Sequence, residues 1–340
     1  SPFPKAVGVI LGIESTAHTF SFGAVSTDGQ EVMKSNSSLY RPELGGIHPR
    51  EAADHHVTMS RGLLEDAISD WGVAGSDIDA IAYSQGPGLG PCLRVGASVA
   101  RSISMALDVP LIGVNHCVAH IEIGRRMTGC EDPVLLYVSG GNTQVIARAS
   151  GRYRVLGETL DIGIGNMLDK FGRAIDIPFP GGPVIEKKAI GYIEKNGSGE
   201  ILSLPYAVHG TDMAFSGILG AAIAHAKKGA DHGLICHSLQ EVSFASCIEV
   251  GERAMALTGK SEILLGGGVA CNNRIREMTH IMASERGGSA FWPEKSLCVD
   301  NGTMIAELGR RMFDSNITTS FENSAIDPSL RTDMTPILWS

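Results

Sequence analysis

The sequence predicts an α/β protein built from two related halves, and three observations carry that prediction. Apolar runs of strand length alternate with amphipathic stretches of helical period along the chain. A strand–turn–strand–turn–strand pattern occurs twice, about 125 residues apart. Glycine is over-represented at 42 of 340 residues, about 12% against an average near 7%. The glycines gather in short runs between apolar segments, where backbone turns sharply or approaches a ligand closely.

The first half opens with an apolar run from Ala6 to Ile13, a second from Thr19 to Ser26, and a third near Gln30 to Ser38 after the turn Thr27-Asp28-Gly29. A helix is expected from about Pro49 to Trp71, because Ala53, Val57, Leu64, Ile68 and Trp71 share one face. A short strand, Asp79 to Ser84, is followed by the glycine- and proline-rich loop Gly86 to Pro91 and a helix from Cys92 to Leu107. Leu111 to Val114 reads as a strand, and His116 to Arg126 as a helix.

The opening pattern then returns. Val134 to Ser139 is apolar and ends in Gly140-Gly141-Asn142, Thr143 to Ala149 is a second strand, and Tyr153 to Gly157 a third. The remainder is helix-rich. Ser238 to Leu257 is a long amphipathic helix, Ile263 to Leu265 a strand ending in three glycines, and Cys271 to Glu285 and Asn301 to Phe313 are helices. The expected domains are 1–130 and 131–340, with the second carrying most of a nucleotide site and the final helix able to return to the first. Two such lobes imply a central cleft, with ligands beyond strand ends where glycine loops meet helix starts. This is the pattern of the duplicated actin-like ATPase (ASKHA, RNase H-like) fold.

Composition sets the outer limits. Hydrophobic residues make up 43% and charged residues 19%, which excludes a disordered chain. No run reaches the ~18 apolar residues of a membrane helix, and the apolar opening lacks the flanks of a secretory signal. Seven cysteines without a C-x-x-C pair suit reduced thiols and a cytoplasmic location. A net charge of −9 makes the chain alone a poor binder of polyanions. The pairs Arg125-Arg126 and Lys187-Lys188 read as solvated faces.

Several motifs can carry chemistry. His116 and His120 lie four apart, so on a helix they share a face and can grip one metal ion; two histidines bonded to nearby backbone are the plainer alternative. A zinc-protease reading fails, because Cys117 stands where the general-base glutamate must follow the first histidine. The adjacent His55 and His56 point two ways from a helix. Tyr137, Val138, Ser139, Gly140 and Gly141 end a strand in a loop whose backbone N–H groups suit a phosphate, or simply make a hairpin. Asp169 follows Gly163-Ile164-Gly165 by one helical turn and suits a ribose hydroxyl or the positive helix start. Gly182 and Glu186 repeat that arrangement after Phe179-Pro180-Gly181. In Gly266-Gly267-Gly268-Val269-Ala270-Cys271-Asn272, three glycines leave room for a base or sugar, whose edge Asn272 can bond. Asp300, before Asn301-Gly302, is either a helix N-cap or a metal ligand.

Through these and neighbouring motifs the chain resembles one family over nearly its whole length: the archaeal and eukaryotic catalytic subunit of the KEOPS complex, a tRNA N6-adenosine threonylcarbamoyltransferase formerly described as O-sialoglycoprotein endopeptidase. The stretches that carry the resemblance are GGIHPREAADHH from Gly45, SQGPGLGPCLRVG from Ser84, GVNHCVAHIEIG from Gly113, LYVSGGNTQVIA from Leu136, GETLDIGIGNMLDKFGR from Gly157, AFSGIL from Ala214, SLQE from Ser238, GGGVACNNRIREM from Gly266 and DNGTMIA from Asp300. Tyr137 and Asn142 favour the archaeal–eukaryotic branch over the bacterial one.

The resemblance implies transfer of a threonylcarbamoyl group from threonylcarbamoyl-AMP to N6 of the adenosine 3′ to the anticodon in ANN-reading tRNAs. It implies one divalent metal ion, iron ahead of zinc or magnesium, on His116, His120, Tyr137 and Asp300. Adenylate-binding positions are Tyr137 to Gly141, Asp169, Gly182, Glu186 and Asn272. Glu14 corresponds to the acidic residue of the first hairpin and is a candidate to assist loss of the amine proton. Implied partners are tRNA, a small atypical kinase, a small dimerising subunit and a kinase regulator, with no membrane. The kinase fused to some archaeal members is not expected in this chain. Two rivals stand beside this reading: a kinase or carbamoyltransferase of the same fold acting on a small molecule, and a nucleotide-dependent scaffold for a partner kinase.

Overall fold

The structure is a computed structural model and describes residues 7–42 and 46–339. Ala6, which begins the first predicted run, and Gly45, which begins the GGIHPREAADHH stretch, lie outside the described residues.

The elements follow the predicted order. The chain runs through β1 (Val9–Glu14), β2 (Thr19–Ser26), β3 (Val32–Leu39), α1 (Pro49–Trp71), β4 (Ile78–Gly86), α2 (Gly90–Leu107), β5 (Leu111–Asn115) and α3 (His116–Thr128). Then come β6 (Val134–Val138), β7 (Thr143–Ala149), β8 (Arg152–Glu158), α4 (Ile164–Ala174), α5 (Gly182–Asn196), the short strands β9 (Val208–His209) and β10 (Asp212–Met213), α6 (Ser216–Lys227) and α7 (His232–Thr258). The chain finishes with β11 (Glu262–Gly266), α8 (Asn273–Glu285), β12 (Ser289–Phe291), α9 (Lys295–Cys298) and α10 (Gly302–Asp314). No helix among the described residues is long and apolar enough to cross a membrane.

The two five-stranded sheets share one topology, which is the structural form of the repeat seen in the sequence. The first has the order β3-β2-β1-β4-β5 and the second β8-β7-β6-β11-β12. In each, the opening strand pairs antiparallel with the next, Val9 opposite Ser26 and Val134 opposite Ala147. In each, a later strand returns through helices and pairs parallel with that opening strand. An all-apolar strand such as Val134–Val138 must sit mid-sheet with both faces covered, and it does.

The chain divides into two compact units. One comprises the chain up to Arg126, Ser150–Tyr153 and the segment from Asp300 on; the other comprises Met127–Ala149 and Arg154–Val299. The second domain expected over 131–340 therefore ends at Val299, and the final helix returns to the first unit. Side-chain alternation explains why. Val9, Leu11 and Ile13 face a core with Phe20, Phe22, Ala67, Trp71, Ala97 and Ala100, leaving Gly12 on the opposite sheet face. There α10 lies directly on backbone: a Cβ at Gly12 would stand 2.2 Å from the Gly302 carbonyl oxygen, and one at Gly23 2.0 Å from the Thr303 nitrogen. Two glycines side by side on adjacent strands (Gly12 is the partner of Gly23) make the groove that seats the returning helix.

Helix starts differ from the sequence prediction where a cap intervenes. α7 begins at His232 rather than Ser238, because the Asp231 carboxylate accepts the Leu234 N–H at 2.9 Å. α8 begins at Asn273 rather than Cys271, because Gly268–Cys271 forms a separate 3-10 turn. Arg125 and Arg126 are not a solvated face. Arg126 pairs with the fully buried Glu307 at 2.7 Å, and Arg125 with the fully buried Glu122 at 3.1 Å. Lys187 and Lys188 are exposed, as expected.

Two predictions follow from this packing. Gly12→Ala forces a methyl group into the α10 backbone and costs about 1–3 kcal/mol, read as a lower urea midpoint. His56 is buried on α1, with Nε2 2.9 Å from the Ala17 carbonyl and its ring centroid 5.3 Å from that of Phe20. Burial lowers its pKa from 6.5 to about 4, against the hydrogen bond to Ala17, which raises it. The proton then prefers the unfolded chain. The stability contributed by neutral His56 is complete above pH 6.5 and is lost as pH falls below that value and through about 4. His56→Gln should flatten that limb of the stability–pH curve, measured by urea titration.

Candidate active site

Four of the predicted residues meet in the first unit. Glu14 ends β1, His116 opens α3 directly after β5, His120 lies one turn further on, and Asp300 precedes α10. The Glu14 side chain is fully buried. Its Oε1 accepts the Thr16 backbone N–H at 2.7 Å and the Thr16 hydroxyl at 2.5 Å, while Oε2 lies 3.0 Å from His116 Nδ1. On the far side of the ring, His116 Nε2 is 3.3 Å from Asp300 Oδ1, and His120 Nε2 is 3.2 Å from the same oxygen. The imidazole centroids stand 4.9 Å apart with planes at 84°.

This geometry fixes the chemistry of the histidines. An ionised Glu14 accepts only, so His116 Nδ1 carries the proton and Nε2 presents its lone pair toward Asp300. Burial lowers the His120 pKa, offset in part by its hydrogen bond to Asp300, so the ring favours the neutral form that ligates metals. Burial pushes the Asp300 carboxyl up, but the two imidazoles outweigh it and hold it well below the usual carboxylate range. Ligand atoms of His116, His120 and Asp300 all lie within 4.8 Å of one another. Two imidazole nitrogens converging on one carboxylate oxygen need a proton or a cation among them, and two nitrogens plus an oxygen suit a transition metal. His116, His120 and Asp300, three of the four ligands that the sequence resemblance implies, therefore have the chemistry to hold such an ion. Of the two readings open for Asp300, the helix cap falls to its neighbour: Asn301 Oδ1 accepts the Met304 N–H at 2.9 Å.

The other predicted residues lie in the second unit, where the glycine loops lock onto one another. Tyr137 is buried within β6, between Gln144 of β7 and Gly266 of β11. The Ser139 and Gly140 carbonyls accept the Gly165 and Asn166 N–H groups at 3.0 and 2.9 Å. These bonds occupy the start of α4 and leave no phosphate site there. Ser139 N–H closes the hairpin onto the Asn142 carbonyl at 2.8 Å. Among the described residues nothing accepts from the Gly140 or Gly141 N–H, and both glycines are exposed. A Cβ at Gly163 would stand 2.3 Å from the Gly140 carbonyl oxygen, and one at Gly267 2.4 Å from that of Val138. Both glycines are thus required by close approach of backbone.

The two helix carboxylates hold loops. Asp169 accepts the Gly181 N–H at 2.7 Å, fixing the turn that carries Gly182. Glu186 accepts the Asn273 N–H at 2.7 Å, beside Asn272. Asn272 caps α8 through the Arg274 N–H at 2.8 Å and donates its amide to Gln240 at 2.6 Å. Sequence reasoning did not single out Gln240 or Thr16 as partners. Gln240 lies inside the SLQE stretch and Thr16 two residues after Glu14, and those positions were the available signal.

A sequence model of the TsaD family, tRNA N6-adenosine threonylcarbamoyltransferase, matches residues 31–307. A relative from Thermoplasma volcanium, named as a probable bifunctional tRNA threonylcarbamoyladenosine biosynthesis protein, is 51% identical over 97% of this chain and 61% of its own length. This chain thus spans about six tenths of that relative. A tRNA N6-adenosine threonylcarbamoyltransferase from Methanococcoides burtonii is 48% identical over 97% of both chains. Among solved structures, HypF of T. kodakarensis superposes with a TM-score of 0.60 at 16% identity, covering 92% of this chain and 48% of its own. An activator of 2-hydroxyisocaproyl-CoA dehydratase from Clostridium difficile gives 0.54 at 14% identity, covering 92% of this chain and 99% of its own. These likenesses show the fold, the duplicated actin-like ATPase fold. With a family match over most of its length and relatives near half identity, the chain belongs to the TsaD, tRNA N6-adenosine threonylcarbamoyltransferase, family.

Proposed function

We propose that this chain transfers the threonylcarbamoyl group from threonylcarbamoyl-AMP to N6 of the adenosine 3′ to the anticodon in ANN-reading tRNAs. The observation that supports it is the pair of buried imidazoles, His116 and His120, converging on the partly exposed Asp300 and backed by Glu14, in a chain of this family. His116, His120 and Asp300 are the residues to hold a divalent ion, iron ahead of zinc or magnesium. Once bound, such an ion supplies Lewis-acid polarisation of donor oxygens.

The chain's own groups do the rest. The free N–H groups of Gly140 and Gly141 suit the phosphate of the adenylate, and Asp169, Gly182, Glu186 and Asn272 frame its nucleoside. AMP is a good leaving group, so the demand falls on the acceptor amine, whose lone pair is delocalised into the purine. Holding donor and acceptor in one geometry lowers that barrier. Glu14 is reassigned from proton acceptor to positioning residue: its carboxylate is sealed from solvent, with one oxygen on Thr16 and the other on His116. It keeps the Nδ1 proton in place, so Nε2 stays a ligand atom.

The net charge of −9 leaves much of the positive surface for tRNA to other subunits. In this reading a small kinase, a small dimerising subunit and a kinase regulator assemble with the chain in the cytoplasm. The bifunctional name of the Thermoplasma relative fits such a partnership.

The deciding assay incubates the chain with partner subunits, threonylcarbamoyl-AMP and unmodified tRNA, and reads the nucleoside by mass spectrometry. Modified adenosine supports the reading; modification of sugars or small acids but not tRNA would contradict it. His116→Ala with His120→Ala should abolish both transfer and bound metal, measured by elemental analysis, while circular dichroism reports retained fold. Full transfer by that metal-free variant would overturn the metal's role. Glu14→Gln should weaken metal affinity roughly 10–100-fold, with transfer restored at saturating metal. A loss of transfer that excess metal does not restore would return Glu14 to a proton-transfer role.

A further inference from the structure

The arginine pair Arg125-Arg126 leads to a charged cluster in the first unit that the active site does not use. α3 and α10 carry one spacing, a glutamate followed four residues later by an arginine: Glu122 and Arg126 on α3, Glu307 and Arg311 on α10. Residues four apart share a helix face. The two faces meet through these side chains, and each helix gives its arginine to the other's glutamate. Arg126 Nη1 lies 2.7 Å from Glu307 Oε2, and Arg311 Nη1 lies 3.2 Å from Glu122 Oε2. Arg311 also turns back to its own helix, with Nε 2.9 Å from Glu307 Oε1. That one guanidinium therefore touches both carboxylates.

Both glutamate side chains are fully buried, and the crosslinking arginines keep only 16% and 18% exposure. Every carboxylate oxygen is occupied. Tyr153 donates its hydroxyl to Glu122 Oε1 at 2.6 Å, Arg125 reaches Glu122 Oε2 at 3.1 Å, and Arg310 Nη2 lies 3.1 Å from Glu307 Oε1. Stability alone does not account for such a cluster. Buried ion pairs recover their desolvation cost only with good geometry, and apolar side chains of similar volume often serve a fold as well or better. What paired charges supply besides is a fixed register between the elements that carry them. Here those elements carry the candidate ligands. His116 and His120 open α3, with Glu122 two residues beyond; Asp300 precedes α10, with Glu307 about two turns beyond. The ligand atoms that gather within 4.8 Å come from these two segments. Sliding one helix along the other would part the imidazoles from the carboxylate while leaving both helices whole.

We propose that Glu122, Arg126, Glu307 and Arg311 are positioning residues, a reciprocal pair of crosslinks that holds α3 and α10 in the register where His116, His120 and Asp300 converge. The proposal rests on the reading of those three residues as metal ligands. None of the four is itself a ligand; each acts through the helix on which it sits. The two arginines can be removed without orphaning a charge, because each glutamate keeps an arginine of its own helix, Arg125 for Glu122 and Arg310 for Glu307. Lysine is a poor substitute at position 311, since a single ammonium cannot span two carboxylates as a planar guanidinium does.

The test uses the full chain, zinc titration against a chromophoric chelator, and the visible spectrum of the cobalt(II)-loaded protein, with circular dichroism to report the fold. Arg126→Met with Arg311→Met should weaken zinc binding roughly 10–100-fold and change the cobalt band, while the dichroism spectrum stays that of the unsubstituted chain. Arg311→Met alone should give a smaller loss in the same direction, and Arg311→Lys should match it. Arg253→Met, which breaks the exposed ion pair with Glu249 in the second unit, should leave zinc affinity unchanged. A folded double variant with the original zinc affinity and cobalt spectrum would overturn the proposal. Should the double variant not fold, unchanged affinity in Arg311→Met would overturn it instead. If the unsubstituted chain binds no zinc, or if His116→Ala with His120→Ala binds it equally well, the ligand reading itself falls and takes the proposal with it.

Discussion

A single carboxylate, Asp300, sits against two buried imidazoles, and much of the first unit is arranged to make that tolerable. Buried charge is expensive unless it is paired and hydrogen-bonded. Here the pairing draws three distant parts of the chain to one point: the end of β1, the start of α3 and the residue before α10. Glu14 and Asp300 act on opposite sides of the His116 ring, which fixes both its tautomer and its direction. The returning helix that carries Asp300 is seated by Gly12 and Gly23, so the geometry of the cluster depends on two strand glycines with no chemistry of their own.

The second unit solves a different problem, keeping glycine-rich loops in one conformation. Flexible backbone loses entropy when it is ordered, and the loops answer by bonding to one another. Ser139 and Gly140 bind the start of α4, Asp169 binds the Gly181 turn, and Glu186 binds the start of α8. Carboxylates that sequence reasoning offers to a nucleotide are already serving backbone, and a nucleotide would meet loops that are set before it arrives. What these bonds leave open is narrow: the exposed N–H groups of Gly140 and Gly141.

Much of this was legible in the residues because period and punctuation are local. The two meanders, α1 from Pro49 to Trp71 and the glycine-led starts of α4 and α5 are where alternation, helical spacing and turn residues place them. The misplaced starts share one cause. Asp231 and the 3-10 turn at Gly268–Cys271 set helix beginnings through single hydrogen bonds that hydrophobic spacing does not register. α6 has few buried anchors, Ile218 and Ala222, so its period is faint. Long-range pairing was the blind spot. The Arg125-Arg126 pair looks solvated until Glu122 and Glu307 are placed beneath it. Spacing and position offered His116, His120 and Asp300 as ligands, and resemblance added Tyr137; the contact of Glu14 with His116 is long-range and left no local signal.

X-ray absorption at the metal edge of the as-purified chain tests the central claim most directly. If the Glu14–His116–Asp300–His120 cluster is a metal centre, the spectrum will carry outer-shell scattering from two imidazole rings together with oxygen ligands. A chain that retains no metal, or one whose bound metal shows no imidazole scattering, would contradict it.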